Sequence, residues 1–181
     1  TMIDTYSKFA WARLMKNKNQ VSVNAAMKSI LDGEKLHMAK TLQSDNGSEF
    51  KSNSFKALVA SYGIKQIFSD TYSPSQNAMI ERFNGTIKGM IYKFFSQYSV
   101  KVLTKDTLAQ LMTNYNSSYH STIRTAPVNI HPGKTQSKAS HLRVDDNLAR
   151  RSIKLRAERI VAKNQKVYPK LVVGDSVRVN K

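Results

Sequence analysis

The stretch from about Asn77 to Tyr98 constrains the fold most, because Ile80, Phe83, Ile87, Met90, Ile91 and Phe94 recur there at helical spacing. An apolar stripe of that length is stable only when other elements cover it. A second helix, about Thr104 to Tyr119, offers a matching stripe in Leu108, Leu111, Met112 and Tyr115.

Upstream the pattern changes from helical to extended and back. "TMI" and "KFAWARLM" are apolar or aromatic runs separated by the turn formers "DTYS", which predicts two antiparallel strands joined at Asp4 to Ser7. "VSVNAAMKSILDG" places Val23, Met27, Ile30 and Leu31 on one helical face and stops at Gly33. "KLHMAKTLQS" reads as a buried strand running into "DNGSEF". In "SNSFKALVASYG", Ser52 or Asn53 caps a helix with the stripe Phe55, Leu58, Val59 and Tyr62, and Gly63 ends it. "IKQIFS" is a further strand, and "DTYSPSQNA", rich in turn residues, is expected to be a mobile loop. Strands first and helices alternating afterwards predict an α/β fold with a mixed sheet and helices on its faces.

Beyond Pro132 the chain turns polar and basic. Residues 133–166 read as a linker that includes a basic helix, "LARRSIKLRAERIVAK", and 167–181 as the opening of a small β module, "KLVVGDSVRVN". Residues 1–132 are then the main domain.

Charge narrows the function. The 181 residues hold 29 Lys and Arg against 12 Asp and Glu, a formal +17, which favours a polyanionic partner such as nucleic acid. The last 48 residues hold 13 basic and 4 acidic residues, making them the preferred source of phosphate contacts, Arg150, Arg151 and Lys154 among them. With no Cys there is neither a disulfide framework nor Cys-ligated zinc, and the four histidines show no close metal-ligand pairing. No apolar run approaches the roughly 18 to 20 residues that a membrane span requires.

Two carboxylates stand where chemistry is commonly done. Asp45 lies where a strand runs out into "DNGSEF", a position that serves sites beyond the sheet edge, although Asp-Asn-Gly is also strong turn chemistry. Glu81 lies early in the long helix, where a glutamate also interacts favourably with the helix dipole. Asn84 and Lys88 follow Glu81 by three and seven residues, so all three lie along one stripe. A carboxylate, an amide and an ammonium on one face suit a cation and then a phosphate backbone. They equally suit a solvated face opposite Ile80, Phe83 and Ile87.

"LQSDNGSEF" followed by "NAMIERFNGTIK", with 35 residues between the two carboxylates, resembles the integrase catalytic core of retroviruses, retrotransposons and Polinton/Maverick elements, an Asp-Asp-Glu family. "IDTYSKFAWARLMKNK" is similar to that family's second and third strands, "YNSSYHSTIRTAP" to the end of its post-catalytic helix, and "LVVGDSVRV" to the start of its C-terminal barrel. "ERFNGTIK" with "YNSSYHSTI" leans toward the Polinton or transposon-derived branch.

The resemblance implies a ribonuclease H-like sheet and DNA integration by 3′-end processing and strand transfer. It implies Mg²⁺ or Mn²⁺ held by Asp45 and Glu81, and DNA positioned by Asn84, Lys88, Lys51, Ser73 and Gln76. It further implies a homo-oligomer acting on DNA in the nucleus, with no membrane association. A domesticated, non-catalytic DNA-binding protein is the competing reading, and a ribonuclease H-like nuclease a third. Ala78 stands where the family commonly has Gly, a stiffer choice for the loop before the glutamate.

The family's first catalytic Asp belongs to a first strand, and the pattern around "TMIDTYSKFAW" places that strand upstream of Thr1. Asp4 is therefore expected to turn a hairpin, accepting nearby backbone N–H groups, rather than to ligate metal. The expectation is of a piece truncated at both ends and inactive alone.

Overall fold

A computed structural model describes residues 1–33, 39–69, 74–131, 150–155 and 157–158, with backbone only at 74–76. Among them the fold is mixed α/β. Strands β1 (Met2–Ile3) and β2 (Ala10–Trp11) pair antiparallel, Met2 opposite Trp11. Between them Asp4 turns the chain: its carboxylate accepts the backbone N–H groups of Tyr6 (3.3 Å) and Ser7 (2.8 Å), and its own N–H donates to Phe9 O at 2.8 Å. Lys8 completes the turn at φ 61°. The hairpin is much shorter than "KFAWARLM" suggests, because β1 contributes only two residues to the ladder.

Helix α1 (Gln20–Gly33) starts at Asn19, whose side chain accepts the Ser22 N–H at 2.8 Å. Strand β3 (Thr41–Ser44) follows, then α2 (Ser48–Lys51) and α3 (Asn53–Ser61), and β4 (Lys65–Phe68) returns parallel to β3, with Ser44 opposite Phe68. Ser52 caps α3, and Gly63, at φ 71°, takes the left-handed conformation that releases the chain into β4.

The long stripe becomes α4 (Pro74–Tyr98), followed by α5 (Lys105–Ser117) and the short α6 (Pro127–Ile130). α4 begins three residues before the expected Asn77, so part of "DTYSPSQNA" is helix rather than loop. Pro74 explains the shift, since its fixed φ suits a first helical position and its missing N–H would have had no partner there.

Each ladder has its own core. Against β1–β2, Ala10 packs with Phe83 and Ile87 of α4 and Leu108, Leu111 and Met112 of α5, with all the other stripe residues of α4 close by. Against β3–β4, Val23 and Leu31 of α1 meet Phe55 and Val59 of α3 and Ile64. Parallel and antiparallel pairing both occur, as expected of a mixed sheet, but they are divided between two two-stranded ladders among the described residues. Of the expected linker and basic helix over 133–166, residues 150–155 and 157–158 are helical, and the rest lies outside the described residues together with the β module expected over 167–181.

Candidate active site

Asp45 is the first residue after β3 and is exposed. Its Oδ1 accepts the Gly47 N–H at 3.1 Å, so the turn chemistry of Asp-Asn-Gly is realised and still leaves the carboxylate at the surface. Gly47 lies close under both acidic side chains: a Cβ there would be 2.8 Å from Glu49 Oε2 and 3.1 Å from Asp45 Oδ1, so a larger residue would make the Glu49 carboxylate move aside.

Glu49 is a residue that sequence reasoning passed over, although it lies within the same "DNGSEF". It pairs with Lys18 at 2.9 Å across 31 positions of sequence. The hydrogen bond from Lys18 holds the Glu49 carboxyl below its ordinary value, with a backbone hydrogen bond adding to the effect. Glu49, through hydrogen bond and charge, holds the Lys18 ammonium above its usual value, and Asp45 adds a smaller push in the same direction. An ammonium is thus anchored beside the Asp45 turn.

From that turn a set of hydrogen bonds runs to α4. Asn46 Nδ2 donates to Ser69 O at 2.8 Å, and Ser69 Oγ donates to Asn77 Oδ1 at 2.7 Å. Asn77 stands four residues before Glu81, one turn back on the same face of α4. Asp45 and Glu81 are thereby attached to one hydrogen-bonded frame, at the end where β3 and β4 both finish.

The remaining expected residues are distributed as follows. Asn84 is half-buried and its Oδ1 accepts the Thr1 hydroxyl at 2.7 Å, which ties the glutamate's helix to the entry of β1. Lys88 is exposed one turn further along the stripe, and Lys51 is exposed at the end of α2. Ser73 and the side chain of Gln76 lie outside the described residues. Arg150, Arg151 and Lys154 are exposed on a separate helical stretch, which rests on the core through Ile153 against Ile123 and Ile130 and places the Arg150 guanidinium 5.7 Å from the Tyr6 ring centre. Among the described residues, no group of three or more His, Cys, Asp or Glu side chains is gathered as a metal would require.

Comparison with known proteins places the sequence and the fold among relatives. Two family models, both described as Integrase core domain, match residues 1–74 and 62–127. A Retrovirus-related Pol polyprotein from transposon TNT 1-94 of Nicotiana tabacum is 34% identical over 88 residues, 48% of this chain and 7% of its own length. The Gag-Pro-Pol polyprotein of Human T-cell leukemia virus 2 is 31% identical over 94 residues, 51% of this chain and 6% of its own. This chain therefore spans less than a tenth of either polyprotein. In three dimensions, the HTLV-2 integrase catalytic core domain in complex with magnesium (trimeric form) superposes with a TM-score of 0.59 at 20% identity, covering 71% of this chain and 80% of that one. That likeness establishes the ribonuclease H-like fold. Residues 1–127, which carry the Asp45 turn, Ser69 and α4, belong to the integrase core domain family.

Proposed function

We propose that this chain is the catalytic part of a DNA integrase or transposase, processing 3′ ends and transferring strands by phosphoryl transfer at Mg²⁺ or Mn²⁺ held by Asp45 and Glu81. The observation that carries the reading is the hydrogen-bonded frame that holds the Asp45 turn and the first turn of α4 at one edge, where β3 and β4 end. Ligand sites in α/β sheets form at such strand ends.

The donor set fits the metal. Carboxylate oxygens are the hard ligands these ions take, and both Asp45 and Glu81 are exposed, free to share the coordination sphere with water and phosphate. When bound, the metal supplies Lewis-acid polarisation of a phosphodiester and a more acidic water or 3′-hydroxyl. This chain's own residues orient the substrate. Lys88 and Lys51 attract the backbone as point charges, Asn84 offers an amide beside Glu81, and Ser73 and Gln76 precede Glu81 on the approach to it. Arg150, Arg151 and Lys154 add phosphate contacts. Among the described residues these two carboxylates stand without a third acidic or imidazole ligand gathered beside them, so the 181 residues are expected to join DNA slowly or not at all. Self-association is supported by the trimeric form of the related core.

Asp45→Asn tests the assignment well, because an amide oxygen at this position still accepts the Gly47 N–H and preserves the turn. In the complete protein, Mg²⁺-dependent joining of labelled DNA ends is expected to fall at least about a hundredfold while salt-sensitive DNA binding persists. Unchanged joining would refute the metal role of Asp45. Binding without any joining, in wild type and variant alike, would favour the non-catalytic DNA-binding reading instead.

A further inference from the structure

Ser69 is almost fully buried, at 4% exposure, yet it carries more polar connections than its size suggests. Its N–H donates to Ser44 O, in the last residue of β3, at 2.9 Å, continuing the β3–β4 ladder one residue past the end of β4. Its carbonyl accepts from Asn46 Nδ2 at 2.8 Å, and its hydroxyl accepts from Gln43 Nε2 at 3.2 Å. One hydroxyl proton faces two acceptors, Asn77 Oδ1 at 2.7 Å and Ser44 O at 3.1 Å. Turning the Asn77 amide end for end would make it the donor and release the Ser69 proton to Ser44, so the Ser69–Asn77 link holds in either orientation.

Nothing in ordinary sheet or helix formation calls for these bonds. Asn46 sits in a turn already closed by Asp45, and Asn77 lies in the first turn of a 25-residue helix whose stability comes from its apolar stripe. What the bonds do is join two elements that each carry a carboxylate. Asn46 is the immediate neighbour of Asp45, and Asn77 is one helical turn from Glu81. We infer that Asn46, Ser69 and Asn77 form a positioning relay that couples the Asp45 turn to the start of α4 and so sets the spacing of the two carboxylates before metal arrives. The inference rests on the proposed metal role of Asp45 and Glu81 for its purpose, but the coupling itself does not. Holding ligands within about half an ångström of their working geometry is what such supporting hydrogen bonds accomplish, and losing one commonly weakens metal affinity by about 10- to 100-fold.

The test uses the 181-residue chain and two measurements, amide hydrogen exchange without metal and Mn²⁺ uptake followed by water-proton relaxation. Asn46→Ala and Ser69→Ala should each speed exchange at Gly47 and at residues 78–82 by roughly three- to tenfold, leaving α5 at its wild-type rates. Ser69→Thr, which keeps the hydroxyl, should restore them. The Kd for Mn²⁺ should rise in Asn46→Ala by at least about tenfold at unchanged α5 protection. If Asn46→Ala leaves residues 78–82 exchanging as in wild type, there is no relay. Coupled exchange with unaltered Mn²⁺ affinity, in a protein whose uptake Asp45→Asn removes, overturns the positioning role. If wild type and Asp45→Asn take up Mn²⁺ alike, the metal reading of Asp45 fails, and the exchange data alone still decide the coupling.

Discussion

Asn116 shows most plainly what a single side chain contributes to this fold. It is buried at 7% exposure, and its amide does the work of a neighbouring strand: Oδ1 accepts the Ala10 N–H and Nδ2 donates to Ala10 O, each at 2.9 Å. β2 is thus satisfied on the side away from β1. Asn116→Ala strands a buried backbone donor and acceptor and is expected to cost about 1 to 3 kcal/mol, read as a lower urea midpoint at unchanged slope. A midpoint equal to wild type would mean water replaces the amide freely. Asp4 is the instructive contrast. Its role was legible because an aspartate that accepts N–H groups two and three residues ahead needs no information beyond its own neighbourhood. Asn116, 106 residues from its partner, left no such local trace, and the same distance problem concealed the Lys18–Glu49 pair.

Among the elements, helices were far more readable than strands. Every stripe residue expected on α4 and α5 enters the core shared with Ala10, because a 3.6-residue period is a property of the helix alone and only one face can be apolar. Strand length depends instead on the partner, so "KFAWARLM" yielded two paired residues where its composition would permit eight. Helix α2 was missed because it is a single turn, below the reach of periodicity. Ser52 is the joint between α2 and α3. Its hydroxyl accepts the Phe55 N–H at 3.3 Å and donates to Glu49 O at 3.0 Å, so it caps one helix while holding the end of the other. Ser52→Ala should destabilise the protein by about 0.5 to 2 kcal/mol, visible as a fall in Tm that Ser52→Asn partly recovers. A neutral Ser52→Ala would show that the cap is replaceable by solvent.

For the whole molecule, the governing quantity is charge. A formal +17 predicts DNA affinity that falls steeply with salt, and the exposed Arg150, Arg151 and Lys154 lie on one short helical stretch. Replacing all three with Gln should weaken binding to any DNA sequence about equally and lower the magnitude of the salt slope by up to about 3, measured by titration at several NaCl concentrations. An unaltered slope would remove them from the interface.

Taken by itself, the sequence determined the long helices α1, α3, α4 and α5, the turn at Asp4, the pairing of Asp45 and Glu81 as candidates and the membership in a family of polynucleotidyl transferases, since periodicity, turn chemistry and motif spacing are all carried along the chain. Only the tertiary structure decided that the strands form two separate short ladders, each over its own core, and that Asn46, Ser69 and Asn77 tie the two carboxylate-bearing elements together. The reason is physical: a hydrogen bond between residues 8 or 23 positions apart depends on where β3, β4 and α4 end in space, and no local pattern encodes that distance.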